Sequence, residues 1–336
     1  MTSTFAIAIV GATGSVGESL LQILEDRGFP VGDLHLLASN ESAGRTLPYK
    51  GRNLRVRAVE GFDFKAVQLA FFAADQSVTL AHADAVRKAG CSLIDLSGAL
   101  SAEQAPRVVP EVNAAILEGR TAPLALTSPS SVAVAVTLVL AALRDQVQAD
   151  RLVINAALAV SSRGREGVSE LARQTAELLN GRSFEPRLFD RQMAFNVLAQ
   201  VDEPDADGHG LLERRINQDI KALLGNASLN VAVSCHQVPV FFGDSLSVTV
   251  QASTPVEVNQ VIAALDAASG IELVEAGDYP TVIGDAVGQD EIYVGRVRRG
   301  LDDPCELTLW IVSDNVRKGA ALNAVQLGEL LIKHYL

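Results

Sequence analysis

In Ala125-Leu126-Thr127-Ser128-Pro129-Ser130-Ser131 an apolar run stops at a Ser/Pro turn, and the apolar stretch Val132 to Leu143 follows at once. A strand that leads through such a turn into a helix is where chains that do acyl chemistry place a nucleophile. The unpaired N–H groups and positive dipole end of the helix face a developing anion there. The side chain on offer is Ser131, an alcohol, which needs a base to remove its proton during attack.

A second stretch could hold a nucleotide. Phe5 to Val10 is a continuous apolar run ending at Gly11-Ala12-Thr13-Gly14-Ser15-Val16-Gly17, which opens the amphipathic segment Glu18 to Arg27. Between a strand and a helix, glycines at that spacing let the backbone turn tightly and approach a pyrophosphate, which rests on the helix N-terminus. Gly11, Thr13, Gly14, Ser15, Val16 and Gly17 are the candidate contacts, joined by Ser39, Glu41 and Ser42 in the loop after a second strand at Leu34 to Ala38. A carboxylate about 20 residues past the glycines can bond ribose hydroxyls, whereas an arginine accepts a 2′-phosphate. Glu41 is present and no arginine lies in the loop before Arg45, so the pattern predicts NAD over NADP; the competing reading is a solvated loop charge.

The elements that must position these residues follow from hydrophobic patterning. Strand-like runs at Val67 to Ala73, Cys91 to Leu96 and Leu124 to Thr127 alternate with helical stretches at Asp75 to Lys88 and Ser131 to Arg144. That alternation predicts a Rossmann-type, doubly wound parallel sheet over residues 1–130. Beyond it lie a long strand at Leu152 to Val160, a Gly/Ser loop at Ser161 to Gly167 and helices at Val168 to Leu179 and Leu211 to Leu224. Strands at Leu229 to Cys235 and Leu246 to Ala252, a helix from Pro255 to Ala268, and strands at Glu291 to Arg298 and Glu306 to Val312 follow. Strands outnumber helices here, so residues 131–313 read as an α+β domain on a mostly antiparallel sheet. Asp314 onward to Leu331 reads as one long amphipathic helix that rejoins the first domain, residues 314–336 in all.

Composition narrows the function class. Of 336 residues 48% are apolar, and the net charge of −12 argues against a nucleic-acid or anionic-membrane surface, both of which need a basic footprint. No run reaches the ~18 apolar residues of a membrane span, and the first ten residues do not read as a signal peptide, so a cytoplasmic location is expected. Cys91, Cys235 and Cys305 are odd in number and without metal-ligand spacing, which suits reduced core thiols. The acidic loop Asp202 to His209 approximates a calcium loop, but Arg214 stands where the bidentate carboxylate belongs, so no metal is expected.

Together the segments resemble the aspartate-β-semialdehyde dehydrogenase family over nearly the whole chain. The matching blocks are the Gly11 to Gly17 turn, Ser42-Ala43-Gly44, Val109-Pro110-Glu111-Val112-Asn113, Ala159-Val160-Ser161, Ala194-Phe195-Asn196-Val197, Val238-Pro239-Val240 with Gly243, and Val294-Gly295-Arg296. Longest of all is Asp314-Asn315-Val316-Arg317-Lys318-Gly319-Ala320-Ala321-Leu322-Asn323. The resemblance implies a Rossmann domain, an α+β dimerisation and substrate domain, a homodimer, Asn315 at the cofactor, and a place in amino-acid biosynthesis. The implied reaction is NADP-linked reductive dephosphorylation of β-aspartyl phosphate through a cysteine thioester.

Departures concentrate where that chemistry happens. The family's Asn-Pro-Asn-Cys reads Ser128-Pro129-Ser130-Ser131, and its Gly-His-Ser reads Gly243-Asp244-Ser245, which puts Ser131 in the nucleophile slot and Asp244 in that of the base. The substrate-carboxylate arginine is Gln237, the glutamine of Gln-Ala-Val-Ser is Leu158, the phosphate-binding arginine is Ser101 and the nucleotide-loop arginine is Glu41. An unperturbed aspartate titrates near ~3.9 and is a poor base at neutral pH. His236 could complete a Ser131–His236–Asp244 triad, with a strand-edge histidine as the plainer reading. Losing two charge-assisted contacts of about 1.5–3 kcal/mol each weakens substrate binding by roughly two to four decades. The chain therefore resembles the Usg-type members that lack the catalytic cysteine: nucleotide binding and dimerisation are expected to remain, and turnover of aspartate semialdehyde to be lost. Two alternatives stay open, a regulatory or binding subunit of an active relative and a Ser131-dependent acyl hydrolase.

Overall fold

The computed structural model describes residues 4–336, which divide into two compact units, one running to Ser130 and including Ala320–Leu336, the other Ser131–Gly319. The first unit begins with β1 (Phe5–Val10), α1 (Ser15–Asp26), β2 (Val31–Ala38), β3 (Thr46–Tyr49) and β4 (Arg52–Ala58). It continues with β5 (Leu69–Phe72), α2 (Gln76–Lys88), β6 (Ser92–Asp95), the single turn α3 (Pro110–Asn113) and β7 (Ala125–Thr127). Its seven-stranded sheet has the order β3-β4-β2-β1-β5-β6-β7, and every pairing is parallel except the β3/β4 hairpin. Strands buried on both faces need apolar residues at every position, which is why β1 and β5 read as continuous apolar runs.

The second unit holds α4 (Ser131–Ala142), β8 (Ala149–Leu158), α5 (Gly164–Leu179), α6 (Leu211–Leu223), β9 (Asn230–Gln237), β10 (Asp244–Ala252), α7 (Val258–Asp266), β11 (Ile271–Leu273), β12 (Ile292–Arg299) and β13 (Glu306–Ser313). Six strands lie in the order β11-β12-β13-β10-β8-β9; the three central pairings are antiparallel and the two outer ones parallel. Alternate residues of β10 are buried, as a sheet with one covered face requires. The chain then contributes α8 (Asn323–His334) to the first unit, where Gly328 leaves only 3.0 Å between a would-be Cβ and the Phe71 ring.

Several features differ from the sequence reading, among them the short edge strand β11, which has no counterpart there. The β3/β4 hairpin was not expected: its strands alternate exposed and buried residues, and Lys50 and Gly51 at its tip take φ of 47° and 72°, as a tight hairpin turn requires. The expected loop at Ser161 to Gly167 turns helical early, since α5 starts at Gly164. The long C-terminal helix does not start at Asp314: a wide π-helical turn occupies Arg317–Leu322, and regular helix begins at Asn323.

Candidate active site

Ser131 is the first residue of α4, whose sequence Ser-Val-Ala-Val-Ala-Val-Thr-Leu-Val-Leu-Ala-Ala is buried almost all round. A helix this rich in valine gains little from propensity and is held by burial, so its N-terminus is a fixed point. The first-turn N–H groups have no intrahelical acceptor. Asp244 opens the central strand β10 and is 1% exposed, while Ser131 is only half-buried. Ser131 Oγ donates to Asp244 Oδ2 at 2.9 Å, and the Ala159 N–H donates to Asp244 Oδ1 at 3.2 Å. Both carboxylate oxygens are thus oriented, and the hydroxyl lies on the more accessible side.

Burial dominates the electrostatics of the pair. Loss of water around Asp244 pushes its carboxyl from 3.8 up to about 7; the hydrogen bonds from Ser131 and Ala159 pull it back, and the nearby Asp314 carboxylate adds to the rise. The unperturbed value assumed from the sequence is therefore wrong for this site. A carboxylate poised near neutrality is a competent acceptor for a hydroxyl proton. His236 takes no part: Ala157, Ser245 and His236 pair across β8, β10 and β9, whereas Asp244 and Gln237 are buried at alternate positions on the other face. The Ser131–His236–Asp244 triad is absent, and serine meets aspartate directly.

The segment after β13 forms the seat of the pair. Asp314 Oδ1 accepts from the N–H groups of Val316 and Arg317, and Oδ2 from Gly288 N–H, each at 2.9 Å. The turn this fixes carries Gly319 against the helix start, where a Cβ on Gly319 would lie 2.5 Å from Ser131 Cβ. Asn315 Oδ1 accepts from Ser161 Oγ and from Gly243 N–H, each at 3.0 Å, so its carbonyl clamps the residue before Asp244. Gly243 has φ of 86° and would bring a Cβ to 2.8 Å from Val282, so only glycine serves. Cross-strand from Asp244 stands Ser313, 1% exposed, its Oγ without a hydrogen-bond partner. Sequence spacing gave Ala159, Ser313, Asp314 and Gly319 no role; Ala159, Asp314 and Gly319 entered only as members of matching blocks, and Ser313 not at all.

The remaining candidates separate by unit. Leu158 and Gln237 are each 1% exposed, and Gln237 Nε2 donates to Leu158 O at 2.7 Å, so neither side chain is presented as an open substrate contact. In the first unit Ser101 is exposed, and its Oγ closes a turn by accepting from Gln104 N–H. Gly11 has φ of 83°, and a Cβ there would meet Ala73 O at 2.2 Å; a Cβ on Gly17 would meet Gly11 O at the same distance. Gly11 and Gly17 let the turn close directly onto the N-terminus of α1, an arrangement with which a pyrophosphate is compatible; Thr13 and Gly14 lie in the turn and Ser15 and Val16 open α1. Ser39 O accepts from the N–H groups of Ser42 and Ala43, and Glu41 is exposed at the top of that turn.

None of the three thiols is an evident substitute nucleophile. Burial pushes Cys91 up to about 12 and Cys235 higher still, so both stay protonated at neutral pH. Cys305 is half-buried just before β13. In the acidic loop Arg214 bonds both Asp205 and Asp207 and holds the Asp205 carboxyl down to about 2. Among the described residues no group of three or more His, Cys, Asp or Glu is placed to hold a metal, and no helix is long and apolar enough to cross a membrane.

Residues 6–119 match the semialdehyde dehydrogenase NAD-binding domain, and residues 140–318 match the semialdehyde dehydrogenase dimerisation domain. The chain belongs to the aspartate-semialdehyde dehydrogenase family. Within that family it is 60% identical over 333 residues to a USG-1 protein homolog of Azotobacter vinelandii, covering 99% of each chain. It is 39% identical over 337 residues, all of both chains, to aspartate-semialdehyde dehydrogenase 2 of Vibrio cholerae. The structure of a probable aspartate-semialdehyde dehydrogenase from Pseudomonas aeruginosa superposes with a TM-score of 0.97 at 59% identity, covering 99% of this chain and 100% of that one. The chain thus carries an NAD-binding domain and a dimerisation domain of this family.

Proposed function

We propose that this protein is a cytoplasmic, homodimeric, nucleotide-binding member of the aspartate-semialdehyde dehydrogenase family that does not run the family's thioester chemistry. The supporting observation is the Ser131–Asp244 hydrogen bond in the slots of nucleophile and base. A thiolate forms readily near neutral pH and is held by a helix terminus, whereas a serine hydroxyl must lose its proton as it attacks. Asp244 can take that proton. An ester at Ser131, however, is a poorer acyl donor to hydride than a thioester.

Substrate recognition points the same way. Gln237, in the position of the carboxylate-binding arginine, is neutral and its amide is spent on Leu158 O. Ser101, in the position of the phosphate-binding arginine, offers a hydroxyl already engaged by Gln104. Neither replaces a guanidinium fork.

The dinucleotide would be held by the Gly11 to Gly17 turn, with Glu41 bonding the ribose hydroxyls and favouring NAD over NADP; when bound it would supply a hydride acceptor. Of the residues here, the first-turn N–H groups of α1 would face the pyrophosphate charge. Asn315 acts on this reading through Gly243 as a positioning residue of the second unit. Calorimetric titration with NAD and NADP tests the cofactor half, and tighter NADP binding would overturn the preference. Phosphate-dependent formation of reduced nucleotide from aspartate semialdehyde tests the catalytic half.

A further inference from the structure

We infer that Ser131 and Asp244 form a nucleophile–base dyad for acyl transfer, acting on a small activated ester or thioester that bears no anionic group beside its carbonyl. This goes beyond the loss of dehydrogenase turnover, and the two readings stand or fall separately. Three features of the second unit carry it. Asp244 is sealed from solvent with Oδ1 fixed by Ala159 N–H, so its remaining oxygen is aimed at Ser131 Oγ. Ser131 is held from behind by Gly319, whose missing side chain permits the contact, and keeps an accessible face. Ser313 Oγ, paired across the ladder from Asp244, is a buried hydroxyl without a partner, a group that a bound polar ligand would satisfy.

The step balances without an oxidant. Ser131 Oγ bonds to the carbonyl carbon while its proton passes to Asp244 Oδ2. The resulting alkoxide faces the first-turn N–H groups of α4. It collapses as the bond to the alcohol or thiol leaving group breaks, and the leaving group takes the proton from Asp244. Water entering at the accessible face of Ser131 then gives its proton to Asp244 Oδ2 as it attacks the ester carbonyl; the bond to Ser131 Oγ breaks, Oγ takes that proton back from Asp244, and a carboxylic acid is released with the hydroxyl and carboxylate restored. The substrate class follows from Gln237, which is neutral and buried where the family resemblance places an arginine for a carboxylate.

The test is covalent labelling of the intact full-length protein with a fluorophosphonate, read by intact mass and peptide mapping, with p-nitrophenyl acetate hydrolysis alongside. One adduct is expected, on Ser131, with a labelling rate rising about tenfold from pH 6 to pH 8 as Asp244 ionises. Asp244→Asn should slow labelling at least tenfold while the circular dichroism spectrum and melting profile remain those of a folded protein. If that variant does not fold, the pH profile of the wild type, read in 50 mM and 500 mM salt, carries the test. A folded wild type that stays unlabelled, an adduct mapped to another serine, or a rate indifferent to pH overturns the dyad. Turnover of aspartate semialdehyde by the same preparation would refute the preceding proposal and leave this one intact.

Discussion

Replacing Asp244 with Asn should flatten the pH dependence of stability. The carboxyl titrates at 3.8 when unperturbed and at about 7 where burial holds it in the fold. A raised value means that the folded chain binds the proton more tightly than the unfolded one. The stabilisation is therefore complete below about pH 3.8 and is lost as pH rises through about 7. With those two values the wild type loses about 2 kcal/mol between pH 5.5 and pH 8.5 through this group alone, and a neutral amide loses none of it. Asn retains a carbonyl to accept one of the two hydrogen bonds now made by Ser131 and Ala159. Urea unfolding of both proteins at pH 5.5, 7 and 8.5 gives the difference directly, because every other titrating group cancels, and equal m-values confirm that like transitions are compared. Parallel profiles, within about 0.5 kcal/mol at all three pH values, would mean that Asp244 keeps an ordinary carboxylate pKa, and the case for it as a base would fail.

Other perturbations test the supports around the site. Gly319→Ala places a Cβ 2.5 Å from Ser131 Cβ, so it should cost about 1–3 kcal/mol and reduce fluorophosphonate labelling of Ser131 several-fold, as read by urea unfolding and intact mass. Gly11→Ala combines a positive φ of 83° with a Cβ 2.2 Å from Ala73 O, so the protein should melt earlier and show no heat of binding with NAD. Gln174 Oε1 accepts from the N–H groups of both Met193 and Ala194, and Gln174 Nε2 donates to the buried Glu170. Gln174→Leu should therefore cost at least ~2 kcal/mol in denaturant, with a loss below 0.5 kcal/mol contradicting the network's role.

Legibility in the sequence followed the strength of local signals. The run into Gly11 to Gly17 was readable because a strand buried on both faces must be apolar throughout and the turn after it admits only glycine at Gly11. The β3/β4 hairpin was missed: β4 carries Arg52, Arg55 and Arg57, and the edge strand β3 contains Pro48, so neither resembles a core strand. The Asp314 to Asn323 block has helical periodicity, and nothing local revealed that Asp314 would spend both carboxylate oxygens closing a turn first. The strand–turn–helix setting of Ser131 was legible, with β7 ending at Thr127 and α4 opening at Ser131. The character of Asp244 was not, because its raised pKa arises from burial at the head of a central strand, a property of packing between β8, β10 and β13 rather than of spacing.

An alcohol beside a buried carboxylate, with Gln237 and Ser101 where the resemblance places arginines, is expected not to carry out a reaction built on a thiolate. Purified full-length protein should therefore form no reduced nucleotide from aspartate semialdehyde and phosphate above the level of a Ser131→Ala variant, with either NAD or NADP. Turnover on the scale of ordinary dehydrogenases, roughly 1–1,000 per second, and abolished by Ser131→Ala would contradict the account.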